Sequence, residues 1–108
     1  MGMKHNKLVR DKIPEIIAKR GDKPVTHTLG PDAYRQELRR KLQEEVVEFC
    51  ESDKVEELAD ILEVVYALAA AEQVSQFQLE EIRKRKRKER GGFEQRIFLT
   101  EICSTDIA

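Results

Sequence analysis

The sequence predicts an all-α protein, an antiparallel bundle of about four helices, and three observations carry that expectation. Asp, Glu, Lys and Arg make up 38% of the chain and there are only three prolines, a composition that suits long amphipathic helices better than a compact β fold. Apolar residues recur at spacings of three and four through most of the chain. Capping and stop signals divide that pattern into segments. A chain of 108 residues has room for one domain, taken as 1–108, and for a limited core. Assembly into a homodimer or homotetramer is a natural way for such helices to bury more area.

The first helix is expected over about Pro14 to Arg20, with Asp11 as its cap, Pro14 in the first turn and Gly21 as its stop. Turn formers surround Val25 to Leu29, which reads as an extended segment or a brief strand. A second helix spans about Asp32 to Cys50, with Leu38, Leu42, Glu45, Val46 and Phe49 sharing a face. After a tight turn at Glu51-Ser52-Asp53, Asp53 and Glu56 have the spacing of a capping box that opens a third helix, from about Lys54 to Gln73. This helix is apolar nearly all round from Leu58 to Ala71, the mark of a central, buried element. Ser75 and Gln78 form a second capping box, with Val74 and Leu79 as its hydrophobic staple. The fourth helix should run through the basic residues to Arg90 and stop at Gly91-Gly92. The tail from Phe93 to Ile102 is apolar enough to pack as an extended arm.

The net charge of -1 argues against a nucleic-acid binder, but the charges are segregated: acidic residues dominate 44–63 and basic ones 83–90. Cys50 and Cys103 are too few and too far apart for a disulfide framework or a zinc knuckle, and read as reduced thiols. No leader pattern opens the chain and no apolar run reaches membrane-spanning length. A cytoplasmic protein is the expectation.

Four carboxylates stand out: Glu45, Glu48, Glu57 and Asp60. Each pair is spaced i, i+3, so its members lie on one side of a helix about 4.5 Å apart along the axis. Glu48 and Glu57 are equidistant from the turn, as are Glu45 and Asp60, so an antiparallel pair of helices sets them level. Glu45 sits among Leu38, Leu42, Val46 and Phe49, and Asp60 among Ile61, Val64 and Ala67, both on faces that should be buried. Buried carboxylates this close raise one another's pKa and cost several kcal/mol each. A hard divalent cation, Mg2+ or Mn2+, removes the conflict. Asp60 is the most telling member, because Asp is a poor helix former.

Glu44-Glu45-Val46-Val47-Glu48 followed by Glu57-Leu58-Ala59-Asp60 resembles the EExxE…ExxD pattern of the all-α nucleoside triphosphate pyrophosphohydrolases. That superfamily includes MazG, phosphoribosyl-ATP pyrophosphatase and the dimeric dUTPases. The block from Lys7 to Pro14 and the run Arg90-Gly91-Gly92-Phe93 resemble blocks of a short MazG-like, phosphoribosyl-ATP pyrophosphohydrolase-like subgroup, which extends the likeness over nearly the whole chain. The resemblance implies hydrolysis between the α and β phosphates of a nucleotide, releasing a monophosphate and pyrophosphate. It implies Glu45, Glu48, Glu57 and Asp60 as Mg2+ ligands, with Glu44, Glu45 and Glu48 as the catalytic carboxylates. In that assignment Glu44 supports the ligands or helps to activate water. The eight residues between Glu48 and Glu57 are fewer than in MazG itself, and so short a turn keeps the pairs level.

Phosphate chemistry also needs cations. Arg83 to Arg90 holds seven cationic side chains in eight positions, most of them necessarily solvated. Lys86 and Arg90 share a face and are the choice there for phosphate contacts. Lys7, Arg10 and Lys12 form a second candidate patch, with Arg10 best suited to bidentate binding. His5 and His27 lack the partners of a hydrolytic triad. Tyr34, Tyr66, Phe77 and Phe93 are expected in the core or stacked on a base. Two rival readings remain: phosphoribosyl-ATP pyrophosphatase itself, and a non-enzymatic helical module that docks on RNA or an acidic partner through 83–90.

Overall fold

The computed structural model describes residues 5–104. It is all-α: helices α1 (Ile13–Lys19), α2 (Pro31–Ser52), α3 (Val55–Ala71) and α4 (Gln76–Arg90), with no strand among the described residues. The chain packs as two compact units, Met1–Gln76 and Phe77–Ala108. No helix among the described residues is long and apolar enough to cross a membrane.

In the first unit, α2 and α3 form the packed helix pair. Pro31 opens α2 behind Gly30, where its missing N–H and fixed φ cost nothing. Two residues, Asp53 and Lys54, join the end of α2 to the start of α3 and turn α3 back along α2. Asp53 adopts a left-handed φ of 55° and donates its N–H to the Phe49 carbonyl, closing α2. Lys54 then opens α3 without a side-chain cap, and its N–H bonds to Ser52 Oγ. The expected Asp53–Glu56 capping box is therefore not formed: Asp53 ends one helix instead of starting the next. An αL position tolerates Asp because its short side chain clears the following carbonyl, whereas a β-branched residue does not. Asp53→Val should cost about 1–2 kcal/mol, read as a lower urea midpoint, with Asp53→Gly at or above the parent.

Along the contact, Leu38 and Glu45 of α2 and Val64 of α3 are buried, with Leu42, Phe49, Ile61 and Leu68 half-buried around them. The spacing 38, 42, 45, 49 is the four-then-three alternation of a helix–helix seam. Asp11 does not cap α1; Lys12 holds that position without a side-chain bond, and Gly21 ends the helix at φ 93°. Residues 22–30 carry no regular structure, so the segment 25–29 forms no strand.

The expectation that α3 is buried all round is corrected. Leu58 and Leu62 are 45% and 47% exposed, and Val55 is 74% exposed. A two-helix hairpin covers one side of α3 only, and these three residues line another.

Helix α4, all but its first residue in the second unit, begins at Gln76, directly after the predicted cap Ser75, and stops at Gly91, whose φ of 84° and N–H bond to the Arg87 carbonyl end it. Arg87 binds Glu94 at 2.7 Å, joining helix and tail. Phe93, Ile97, Phe98 and Ile102 are exposed rather than packed as an arm, and Phe77 is exposed rather than in the core. Besides Phe77, α4 offers only Leu79 and Ile82 as apolar residues, too little surface to bury them.

Candidate metal centre

The seam of the hairpin carries charge. Glu45 lies on the face of α2 turned toward α3 and is only 7% exposed. Glu57 and Asp60, one turn apart on α3, are half-buried beside it. One carboxylate oxygen of each falls within 4.8 Å of the others. The predicted symmetry about the turn thus brings Glu45 level with Asp60, and Glu57 completes the group.

Glu48 is outside this trio but beside Glu45, whose carboxyl it both repels and hydrogen-bonds. It is exposed, since three residues rotate it away from the 38–42–45–49 stripe. Its charge still reaches the cluster. Burial, and after it the neighbouring Glu48 carboxylate, push the Glu45 carboxyl above the ordinary glutamate value; Lys41 opposes them. The Lys41 ammonium lies 3.4 Å from Glu45 Oε1, one helical turn earlier on α2. Glu45 Oε2, in contrast, is buried and has no hydrogen-bond partner.

An orphaned carboxylate oxygen in the interior is costly, and buried polar groups ordinarily find a partner. The chemistry of the donor set decides what fits. Three carboxylates offer hard anionic oxygens, and an octahedral Mg2+ at 2.0–2.1 Å from each holds them about 3–4 Å apart. Small side-chain adjustments would bring the observed oxygens to that spacing. The residues present therefore fit a divalent cation, with Glu45, Glu57 and Asp60 as its ligands.

The N-terminal segment brings cations to the same place. Arg10 Nη2 donates to Asp60 Oδ1 at 2.6 Å, across 50 residues of sequence. Lys7 Nζ lies 3.2 Å from Glu44 Oε1, and Lys41 lies 3.8 Å from the same oxygen. Glu44 is thus held between two ammonium groups on the flank of the cluster. Lys7, Arg40, Gln43, Glu44, Val47 and Glu48 line an open groove of about 470 Å³ along this side of α2. Of the predicted phosphate contacts, Lys7 and Arg10 are at the cluster, whereas Lys12 is exposed at the start of α1. Lys86 and Arg90 are exposed on α4, in the other unit.

Two interactions escaped the sequence reading. Lys41 was signalled only by its i, i+4 spacing to Glu45, and the pairing of Arg10 with Asp60 by nothing local.

A relative in Mycolicibacterium smegmatis, an uncharacterized protein, is 50% identical over 46 residues, 43% of this chain and 47% of that protein. The chain thus spans about half the length of the curated relative it matches. No family model matches the sequence. No solved structure matches it either.

Proposed function

We propose that this protein is a Mg2+-dependent nucleotide pyrophosphohydrolase that cleaves a nucleoside triphosphate, or a related nucleotide, between its α and β phosphates. The observation that carries the reading is the unpartnered, buried Oε2 of Glu45 inside a three-carboxylate cluster. The resemblance of Glu44–Glu48 and Glu57–Asp60 to the EExxE…ExxD motif supplies the bond that is cleaved.

A bound Mg2+ supplies charge neutralisation for phosphate oxygens and a more acidic water. Glu45, Glu57 and Asp60 would hold it, and Mn2+ could take its place. Glu48, exposed beside Glu45, would serve as a further ligand or as a proton acceptor for an attacking water. Glu44 keeps Lys7 and Lys41 at the rim. Arg10 and Lys7 bind the phosphates as negative charge develops on the leaving pyrophosphate. A cytoplasmic location accords with a substrate of this kind.

The protein works as a homodimer or homotetramer in this proposal. Only Leu38 and Val64 are buried apolar residues among those described, too few for a stable single-chain core. The exposed Val55, Leu58 and Leu62 recur at spacings of three and four on one face of α3, as a helix–helix contact requires.

A non-enzymatic module acting through 83–90 draws on the exposure of that run, but it leaves Glu45 Oε2 without an explanation. The deciding assay is a panel of nucleotides, phosphoribosyl-ATP included, incubated with Mg2+ and monitored for pyrophosphate and orthophosphate separately. Pyrophosphate released from at least one nucleotide, and only with the metal, is the expected result. Orthophosphate as the first product, or turnover that survives chelation, contradicts the proposal.

A further inference from the structure

Residues 6–12 lie outside any helix, and two ion pairs tie them to the hairpin: Lys7 to Glu44 at 3.2 Å and Arg10 to Asp60 at 2.6 Å. The second of these is made to a member of the carboxylate trio itself. Glu45 is meanwhile matched by Lys41. The three clustered carboxylates are therefore balanced, in part, by cations of the chain's own, and the one belonging to a segment without helical structure is Arg10.

We propose that Arg10 is a displaceable internal counter-ion of the metal centre, so that binding of a divalent cation frees Arg10 and the neighbouring residues 8–12 from the hairpin while Lys7 keeps its pair with Glu44. The inference rests on the metal reading given above. A dication held by Asp60 draws on the same carboxylate charge that now holds the guanidinium, and it repels Arg10 directly. Arg10 and the metal thus compete for Asp60, and competition of this kind is reciprocal: whatever weakens the latch strengthens the metal, and the reverse. The Arg10 and Asp60 side chains are 55% and 40% exposed, so water screens their pair and the latch is weak enough to yield. Once freed, the guanidinium stands beside the cation with all its donors open, where an anionic ligand carried by the metal would meet it.

The test uses metal alone. Arg10→Gln removes the competitor and should bind Mn2+ about two- to five-fold more tightly than the parent, the range an exposed ion pair allows. Lys19→Gln makes the same change in net charge but disrupts only a Glu15 pair within α1; its affinity should equal the parent's. Cleavage after Leu8 by chymotrypsin should accelerate when the parent is saturated with Mg2+, and should be fast with or without Mg2+ in Arg10→Gln. Equal or weaker Mn2+ binding by Arg10→Gln, tightening matched by Lys19→Gln, or cleavage after Leu8 in the parent indifferent to Mg2+ overturns the latch while leaving the metal site standing. A parent protein with no saturable Mn2+ binding removes the metal site, and the latch with it.

Discussion

Asp60→Asn should lower Mg2+-dependent pyrophosphate release by on the order of a thousand-fold, because a lost metal ligand forfeits several kcal/mol of transition-state stabilisation at about 1.4 kcal/mol per decade. The fold should tolerate the change. Asp60 is half-buried rather than enclosed, and Asn and Asp have similar helix propensities. Far-UV circular dichroism of the variant should match the parent while its activity is lost. Glu63→Gln, on an exposed position of the same helix, should retain activity within about two-fold, as surface substitutions away from a site commonly do. Retention of activity by Asp60→Asn would remove Asp60 from the centre.

Glu45→Gln should act on activity in the same direction and on stability in the opposite one. The amide is isosteric with the carboxylate but carries no charge, so it escapes the cost of an ionised group in the seam. Without divalent ions at neutral pH the variant should melt a few degrees above the parent. The pH dependence follows from the raised Glu45 carboxyl. A folded state that binds this proton more tightly than the unfolded chain is destabilised at pH values above the raised pKa. That penalty fades as pH falls through the raised value and is gone below the ordinary value of about 4.5. The advantage of Glu45→Gln should therefore be greatest at pH 7 and vanish toward pH 4.5. Mg2+ reverses the ranking. At a hundredfold excess over Kd a bound ion stabilises the parent by about 2.7 kcal/mol, and the variant should gain little. A parent that is the more stable of the two at pH 7 in chelator would contradict this account of Glu45.

How far these features were legible in the sequence depends on whether they are local. The four helices were readable from periodicity and stop signals, because Gly21 and Gly91 reach left-handed φ values that other residues avoid. Turn symmetry placed Glu45 opposite Asp60, since two antiparallel helices joined by a short turn leave little freedom along their axes. Rotation about the axes was less constrained, and it leaves Glu48 exposed where Glu45 is buried. The distinction was present in the 38–42–45–49 stripe, which includes Glu45 and omits Glu48. Asp53 was misassigned because Asp serves both as a helix N-cap and in the left-handed conformation, and composition alone does not separate the two roles. The exposure of Leu58 and Leu62 shows a different limit: an apolar helix does not say which of its faces its own chain covers. Arg10 at Asp60 was beyond any local pattern, since the two meet across 50 residues.

The most direct test of the centre is the position of Mn2+ in crystals of the protein grown with that ion, located from its anomalous scattering. The account predicts a peak at coordination distance, about 2.0–2.2 Å, from carboxylate oxygens of Glu45, Glu57 and Asp60, with Glu45 Oε2 among the ligands. An ion bound elsewhere, with Glu45 Oε2 still unpartnered, would contradict it.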